Sequence, residues 1–365
     1  MLWHDGPMRE FYARNPLSLA FFSNYTFGLE DDPARRDLIS RAAYLIAATK
    51  PQHPIAIACQ GQIYILEACE NMTLEPALQA LVHDAKNSAR EPPIGWLTCL
   101  PRSERNFEGF EHVQNTELFV ALDTESQPDT LSAFALELAH ANFENRWFTH
   151  PKQLIICANG RAGFNFEHAE LDGEPAGQFI QMLQEVPVGS EIPTFKKLSW
   201  EHSAKIEAAI IHAKTYAQQE LAQREIFCFE TTPFQSDFEI QLPIQVAITR
   251  IFKQSKITSE AVSMSHMPDG RYNTVYFDSP ESVQKTYHDK IRAAKQGQEF
   301  KPIACDISTS SGGSFPSIAL FGFTDTARNM IGIAYIRKAD KTVFHIKCDG
   351  IYQGFARTLA ATMQK

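Results

Sequence analysis

His168 and Asp172, followed directly by Gly173, are the residues of this chain whose types and spacing could do chemistry. A neutral imidazole takes a proton from a hydroxyl group at pH 7, because its ordinary pKa lies close to that pH. The aspartate is better placed to brace the loop than to reach a substrate. The delivery of the histidine is also legible. Gln153-Leu154-Ile155-Ile156-Cys157-Ala158 is an apolar run, Asn159-Gly160 is a turn signal, and Phe164 and Phe166 alternate with polar neighbours. The reading is a β-hairpin whose second strand ends at His168. Taken alone, the spacing is more often a strand-end histidine with an aspartate in the next turn.

The elements around it follow from periodicity. His53 to Glu67 reads as a hairpin around Gln60-Gly61. Thr73 reads as the cap of a helix whose stripe is Leu74, Leu78, Leu81, Val82 and Ala85. Ile94 to Leu100 is strand-like, a mixed helical stretch leads into Leu118 to Asp123, and Leu131 to Ala141 is a helix. A further helix is expected near Gln178 to Gln184. Val186 to Pro193 breaks periodicity and is the best linker candidate. Beyond it come helices over Trp200 to Gln223, Phe238 to Phe252 and Gln353 to Met363. Strands are expected at Glu225 to Phe229, Tyr272 to Phe277, Ser317 to Phe323, Ile331 to Ile336 and Thr342 to Ile346. Alternating β and α in both parts indicates an α/β protein with a sheet in each.

Composition bounds the function. The chain has 365 residues, 44% hydrophobic and 21% charged, which suits two domains or one large α/β body. A net charge of −9 with no dense Lys/Arg block argues against nucleic-acid binding. No apolar run approaches the ~20 residues of a membrane span, and Met1 to Gly6 lacks the pattern of a signal peptide. Seven cysteines form no C-x-x-C pair. Cys59, Cys99, Cys157, Cys228 and Cys305 sit in apolar runs, as buried thiols in a reducing, cytoplasmic compartment would. Gly160-Arg161-Ala162-Gly163 and Gly312-Gly313 lack the frame of a nucleotide site. His140, His212, His266 and His345 show no metal-ligand spacing; they read as core or solvated residues.

The run from Asn145-Arg146-Trp147-Phe148 through the hairpin to His168, Asp172 and Gly173 resembles the choline/carnitine acyltransferase family. So does Ile307-Ser308-Thr309-Ser310, similar to its L-S-T-S motif, and Ile331-Gly332-Ile333-Ala334-Tyr335, similar to its G-Y-G-x-x-Y strand. Weaker matches keep the same order: Asn15 to Asn24, Gly95-Trp96-Leu97-Thr98 to Arg102, Leu118 to Asp123, and Ile240 to Ala247. Colinearity is more specific than any one motif. Alone, the Ser/Gly-rich run from Ser308 to Ser314 would read as a flexible loop.

The resemblance implies a two-lobed, chloramphenicol-acetyltransferase-like α/β fold. Each half is a mixed sheet flanked by helices, and an active-site tunnel runs between them. The halves would be 1–190, with the H-x-x-x-D-G motif, and 191–365, with S-T-S. The family exchanges elements between its halves. The reaction implied is transfer of an acyl group from a thioester to a hydroxyl acceptor, with His168 as base and Ser310 as oxyanion donor. Asp172 would pair with Arg271 of a G-R motif and hold the His168 loop. Ser308 would border the acceptor, and Asp237 keeps the acid that starts a helix near coenzyme A. Acyl-CoA is then a co-substrate, with no resident cofactor or metal, and the protein a monomer.

The departures matter as much. Where the family carries a tyrosine and a threonine against carnitine, this chain has Ser259 and Tyr272. The carboxylate-binding arginine falls in a stretch that is shortened here. An acceptor carboxylate would be left unpaired, so carnitine is not the expected acceptor, and choline is not expected either at a site with these contacts replaced. No lysine stands in Phe229 to Ser236, where the family neutralises coenzyme A phosphates. Lys253 and Lys256, or Lys196 and Lys197, are the substitutes at hand. An acyl carrier protein as donor, or a non-catalytic binding module on this scaffold, are the alternatives.

Overall fold

The computed structural model describes residues 24–68, 71–100, 109–167, 173–222, 224–235, 239–240, 244, 259–263, 273–276, 307–323, 331–349, 352 and 354–363. At 259–263, 273–276, 307–308, 349, 355 and 362–363 it describes the backbone alone. Asn24–Leu29 (β1) and Leu38–Ala48 (α1) come first. Asp37 caps α1 by accepting from the Ser40 backbone N–H, one of the donors a helix start leaves open. Ile55–Cys59 (β2) and Gln62–Leu66 (β3) form the expected antiparallel hairpin. Gln60 and Gly61 take φ of 50° and 73° between them, as a two-residue turn joining twisted strands requires. Leu74–Asn87 (α2) buries Leu74, Ala77, Leu78, Leu81 and Ala85. Thr73 precedes it, but its hydroxyl bonds the Gly189 carbonyl instead of capping the helix.

The strand expected at Ile94 to Leu100 is a 3-10 helix over Ile94–Cys99. The cause is tertiary. A Cβ on Gly95 would lie 2.6 to 2.8 Å from the carbonyl oxygens of Phe143, Glu144 and Arg146. The backbone therefore packs directly on that loop, and Thr98 Oγ1 closes the turn by donating to Gly95 O at 2.7 Å. Phe110–Gln114 (α3), Phe119–Asp123 (β4) and Leu131–His140 (α4) follow. Lys152–Cys157 (β5) and Ala162–Glu167 (β6) make the second expected hairpin. The helix expected near 178–184 starts earlier, as Gly173–Gln181 (α5).

The rest of the chain supplies Phe195–Lys197 (β7), Ala204–Leu221 (α6), Arg224–Thr231 (β8), Ser259–Ser263 (β9) and Asn273–Tyr276 (β10). Ile307–Ser311 (β11), Ile318–Phe323 (β12), Ile331–Arg337 (β13), Thr342–Asp349 (β14) and Phe355–Met363 (α7) complete it. The helix expected at 238–252 falls mostly outside the described residues. So does Cys305; Cys59, Cys99, Cys157, Cys228 and Cys348 are buried free thiols.

The protein is α/β, with two mixed sheets flanked by helices. Among the described residues, the first has eight strands in the order β12-β1-β6-β5-β4-β2-β3-β7 and the second six, β10-β9-β11-β13-β14-β8. In the first, β2, β4 and β5 run parallel and the remaining pairs antiparallel. In the second, β9, β11 and β13 run parallel. Strand β12 comes late in the chain yet pairs with β1, and it also packs on β13 and β14. This is an exchange of the kind the resemblance implies. Helix α4 lies between the sheets, against β1, β6 and β12 on one side and β8 on the other. Gly28 and Gly163 admit it, since a Cβ at either would meet Phe134 or Leu138 at 2.6 to 2.7 Å. No helix among the described residues is long and apolar enough to cross a membrane.

Candidate active site

Strand β6 carries the chain toward His168, the residue expected to act as base. It ends at Glu167, paired with Asn24 of β1, and Phe166 pairs with Tyr25. His168 and Asp172 follow, outside the described residues. The strand itself is held on both sides. Asn24 Nδ2 donates to Asn165 Oδ1 at 2.6 Å, and Asn165 Nδ2 donates to Leu138 O of α4 at 2.8 Å. On the opposite face Tyr25, Phe27, Phe164, Phe166 and Phe321 form an aromatic layer against Phe179 of α5. The chain re-enters that layer at Gly173, where a Cβ would lie 3.7 Å from Tyr25 Cζ and 3.9 Å from Phe321 Cε2.

The serines of the second motif sit on a strand, not in a loop. Parallel neighbours on both sides, β9 and β13, hold β11. Ser310 is half-buried and pairs with Ala334, which in turn pairs with His345. Ser308 lies opposite Glu260 and Gly332, and Ser259 opposite Ile307, so Ser259 and Ser308 lie on adjacent strands, β9 and β11. Arg271, Tyr272 and Asp237 lie outside the described residues, as do Lys253 and Lys256. Past Ser311, the Gly312 N–H donates to Tyr335 O at 2.7 Å. A Cβ on Gly312 would lie 2.6 Å from Phe321 Cβ. The flanks of both motifs thus meet at Phe321.

Lys196 and Lys197 are not part of this convergence. They lie on β7, at the opposite edge of the first sheet from β12. Six strand spacings of about 4.8 Å put them roughly 29 Å from β1 along the sheet. Lys197 Nζ is moreover engaged with Ala89 O at 2.6 Å.

The segments that match the family outside the two motifs hold the frame. Asp123, at the end of β4, accepts from Arg146 Nη2 at 2.7 Å and from Asn145 Nδ2 at 3.1 Å. Asn145 Oδ1 accepts from the Gly61 N–H at 2.7 Å, which ties the first hairpin's turn to the same point. Trp147 N–H donates to Gln153 Oε1 at 2.8 Å, and Phe148 N–H to Thr98 Oγ1 at 3.3 Å. Asn145-Arg146-Trp147-Phe148 is thus a clasp between β4, β5 and the 3-10 helix. Desolvation is the largest single influence on the Arg146 guanidinium and pulls its pKa down, but the charge and hydrogen bonds of Asp123, with Glu137, together hold it above the ordinary value.

Sequence reading missed a buried polar cluster between the sheets. His140 at the end of α4, Arg224 on β8, and His345 and Lys347 on β14 all lie in the interior. Burial, reinforced by Arg224, Lys347 and His345, pushes the His140 imidazole well below its usual range. Burial and then Lys347 push His345 down to about 4. His345 sits where Gly322 of β12 has no side chain; a Cβ there would lie 2.9 Å from His345 Nε2. The signal was the alternation in Thr342 to Cys348. It reads as a solvated polar face but is covered by β12 and α4. Of the two roles open to them from sequence, core or solvated, His140 and His345 take the core one.

The choline/carnitine O-acyltransferase family model matches residues 47–301. A rat carnitine O-palmitoyltransferase 1, muscle isoform, is 26% identical over 212 residues, covering 50% of this chain and 28% of the relative. A mouse choline O-acetyltransferase is 24% identical over 280 residues, covering 64% of this chain and 44% of the relative. The chain thus spans less than half the length of either. Among solved structures, the first condensation domain of the calcium-dependent antibiotic synthetase aligns with a TM-score of 0.46 at 11% identity, covering 100% of this chain and 95% of that one. An epimerization domain of tyrocidine synthetase B aligns at 0.42 and 11%, covering 97% and 93%.

Proposed function

The chain belongs to the choline/carnitine O-acyltransferase family, and from that premise we propose that it moves an acyl group from a thioester to a hydroxyl acceptor. The observation that supports this best is the meeting of the two motif flanks, Gly173 and Gly312, on the single ring of Phe321. Gly173 and Gly312 are 139 residues apart in the chain, and the shared packing on Phe321 is what brings the two motif flanks to one place.

In this reading an imidazole nitrogen of His168 takes the acceptor's hydroxyl proton as the oxygen attacks the thioester carbonyl. The Ser310 hydroxyl donates to the oxyanion that forms. The tetrahedral species collapses, the carbon–sulfur bond breaks, and the imidazolium returns the proton to the departing sulfur, which leaves as the free thiol and restores the neutral base. Asp172 and Arg271 pair to hold the His168 loop and its tautomer. The two halves, 1–190 and 191–365, with β7 and β12 of the second contributed to the sheet of the first, enclose the tunnel in which donor and acceptor meet. Acyl-CoA is the donor, entering near the helix begun by Asp237; an acyl carrier protein, offering only its pantetheine arm, is the alternative. Ser259, Tyr272 and Ser308 border the acceptor.

His168→Ala is the test. With acetyl-, octanoyl- and palmitoyl-CoA and a panel of alcohols, thiol release is expected to fall by about 10²- to 10⁴-fold. Thermal unfolding is expected to stay unchanged. Full activity in the variant sinks the reading, and no turnover by the unaltered protein with any donor would favour a non-catalytic binding module.

A further inference from the structure

Beyond the reaction itself, we propose that a cleft at the far end of β1 binds a small neutral molecule with an aliphatic chain and a carbonyl oxygen. The cleft holds about 260 Å³. That is just under the ~300–1,000 Å³ of sites for drug-sized molecules, so its occupant is small. Leu29 at the end of β1, Leu45 of α1, Ile180 of α5 and Leu183 just past it form apolar walls. Asn24, beside the end of β6, and Leu29 are separated by five residue steps, roughly 17 Å along the strand. The cleft therefore stands away from the strand end that leads toward His168.

The polar groups decide what fits. Three consecutive carboxylates line the mouth, and each already holds a cation. Glu30 pairs with Lys338 at 2.5 Å, Asp31 with Arg161 at 3.6 Å, and Asp32 with both Arg35 and Arg41 at 2.9 Å. An incoming ammonium group finds these partners taken, and an incoming carboxylate meets three charges of its own sign. The Tyr44 ring is covered by the Arg35 guanidinium, 4.0 Å from its centroid. Arg41, by contrast, keeps one donor open. It lines the cleft and is 5% exposed. Its Nη1 donates to Asp32 Oδ2 and its Nη2 to Glu30 O at 3.0 Å, while Nε meets no acceptor among the described residues. A guanidinium can only donate, and a buried donor without an acceptor costs free energy. A ligand oxygen that accepts from Nε, on a chain lying along the leucine and isoleucine walls, satisfies both needs of the cleft. A carbonyl supplies that oxygen without a charge.

NMR titration of the protein labelled at its leucine and isoleucine methyl groups is the test, with Ile180→Val assigning the reporting resonance. Methyl heptanoate is expected to shift the Ile180 methyl saturably. Octanoate, built from the same number of heavy atoms, and octylammonium are expected to bind about tenfold more weakly. Leu183→Trp, which fills the cleft from its half-buried rim, is expected to abolish the shift. Arg41→Met is expected to weaken binding of the ester about tenfold or more, as loss of a hydrogen bond to a charged group does. Absence of a saturable shift, a shift that persists in Leu183→Trp, or equal binding of the three probes overturns the proposal. Octanoate binding more tightly than the ester overturns it too. If Arg41→Met does not fold, Leu183→Trp and the three probes decide. No measurement requires turnover, so the outcome is independent of the acyl-transfer reading.

Discussion

Arg146 Nη2 lies 2.7 Å from Asp123 Oδ2, and neither side chain has any exposed surface. The pair joins two segments that match the family but carry no chemistry. It stands where β4 ends, and a second acceptor for the same nitrogen is Glu137 O of α4 at 3.1 Å. The guanidinium therefore links the sheet, the loop before β5 and the helix between the sheets.

Removing one partner leaves a buried charge uncompensated. Arg146→Met should destabilise the protein by about 3–5 kcal/mol. Arg146→Met with Asp123→Leu should be less destabilised than the single variant, because no orphan charge remains. Urea unfolding of the three proteins checks this, and equal losses would show that packing, not charge, dominates.

Ser310→Ala tests the oxyanion role separately from the base. One such donor contributes ~3 kcal/mol, so turnover should fall by about 10²-fold or more. Half-burial of Ser310 and its place inside a three-strand ladder predict little loss of stability. A drop in turnover below threefold would remove Ser310 from the mechanism.

Carnitine should bind no better than in the millimolar range, roughly −4 kcal/mol. By the resemblance to the family, Ser259 and Tyr272 stand where it carries two carnitine contacts, and the stretch that would hold its carboxylate-binding arginine is shortened. In the proposed reading the acceptor is a neutral or differently charged hydroxyl compound, with the Tyr272 phenol as one of its partners. Initial-rate kinetics or calorimetry with carnitine and acyl-CoA decides; saturation at micromolar concentration would falsify the acceptor assignment.

Stability should fall as pH drops from about 6.5 toward 4. His345 and His150 are held neutral, with pKa values pushed down to about 4 mainly by burial. His150 takes part as a neutral ring, its Nδ1 accepting from the Lys152 N–H at 3.1 Å. The unfolded chain binds protons on these rings near pH 6.5 while the native one does not, so unfolding gains free energy on acidification. Each contributes on the order of 3 kcal/mol by pH 4. His140 acts in the same direction. Urea midpoints at pH 7, 6 and 5 should decline steadily, whereas a flat series would mean that the rings are protonated in the native state.

Where structure is local, the amino-acid sequence determined it. Gln60-Gly61 turns the chain by its own φ preferences, and flanking apolar alternation does the rest. Leu74 to Ala85 and Leu131 to His140 carry helical stripes that need only something apolar to cover them. The hairpin ending at Glu167, and with it the place of His168 in the chain, is legible for the same reason.

Only the tertiary structure decided the elements whose hydrogen-bond partners lie far off in the chain. Ile307–Ser311 has no apolar alternation; it is a strand because β9 and β13 satisfy its backbone on both sides. Asn24–Leu29 owes its extended form to β6 and to β12 at the other end of the chain. Ile94–Cys99 alternates like a strand, yet Gly95 pressed on the carbonyls of residues 143–146 makes it a 3-10 turn. His345 and Lys347 share the polar alternation of a solvent face, but β12 and α4 cover them and burial dictates their protonation. Phe321 is one apolar residue among 26 phenylalanines in the sequence, and its contacts with Gly173 and Gly312 exist only once β12 has crossed to the first sheet.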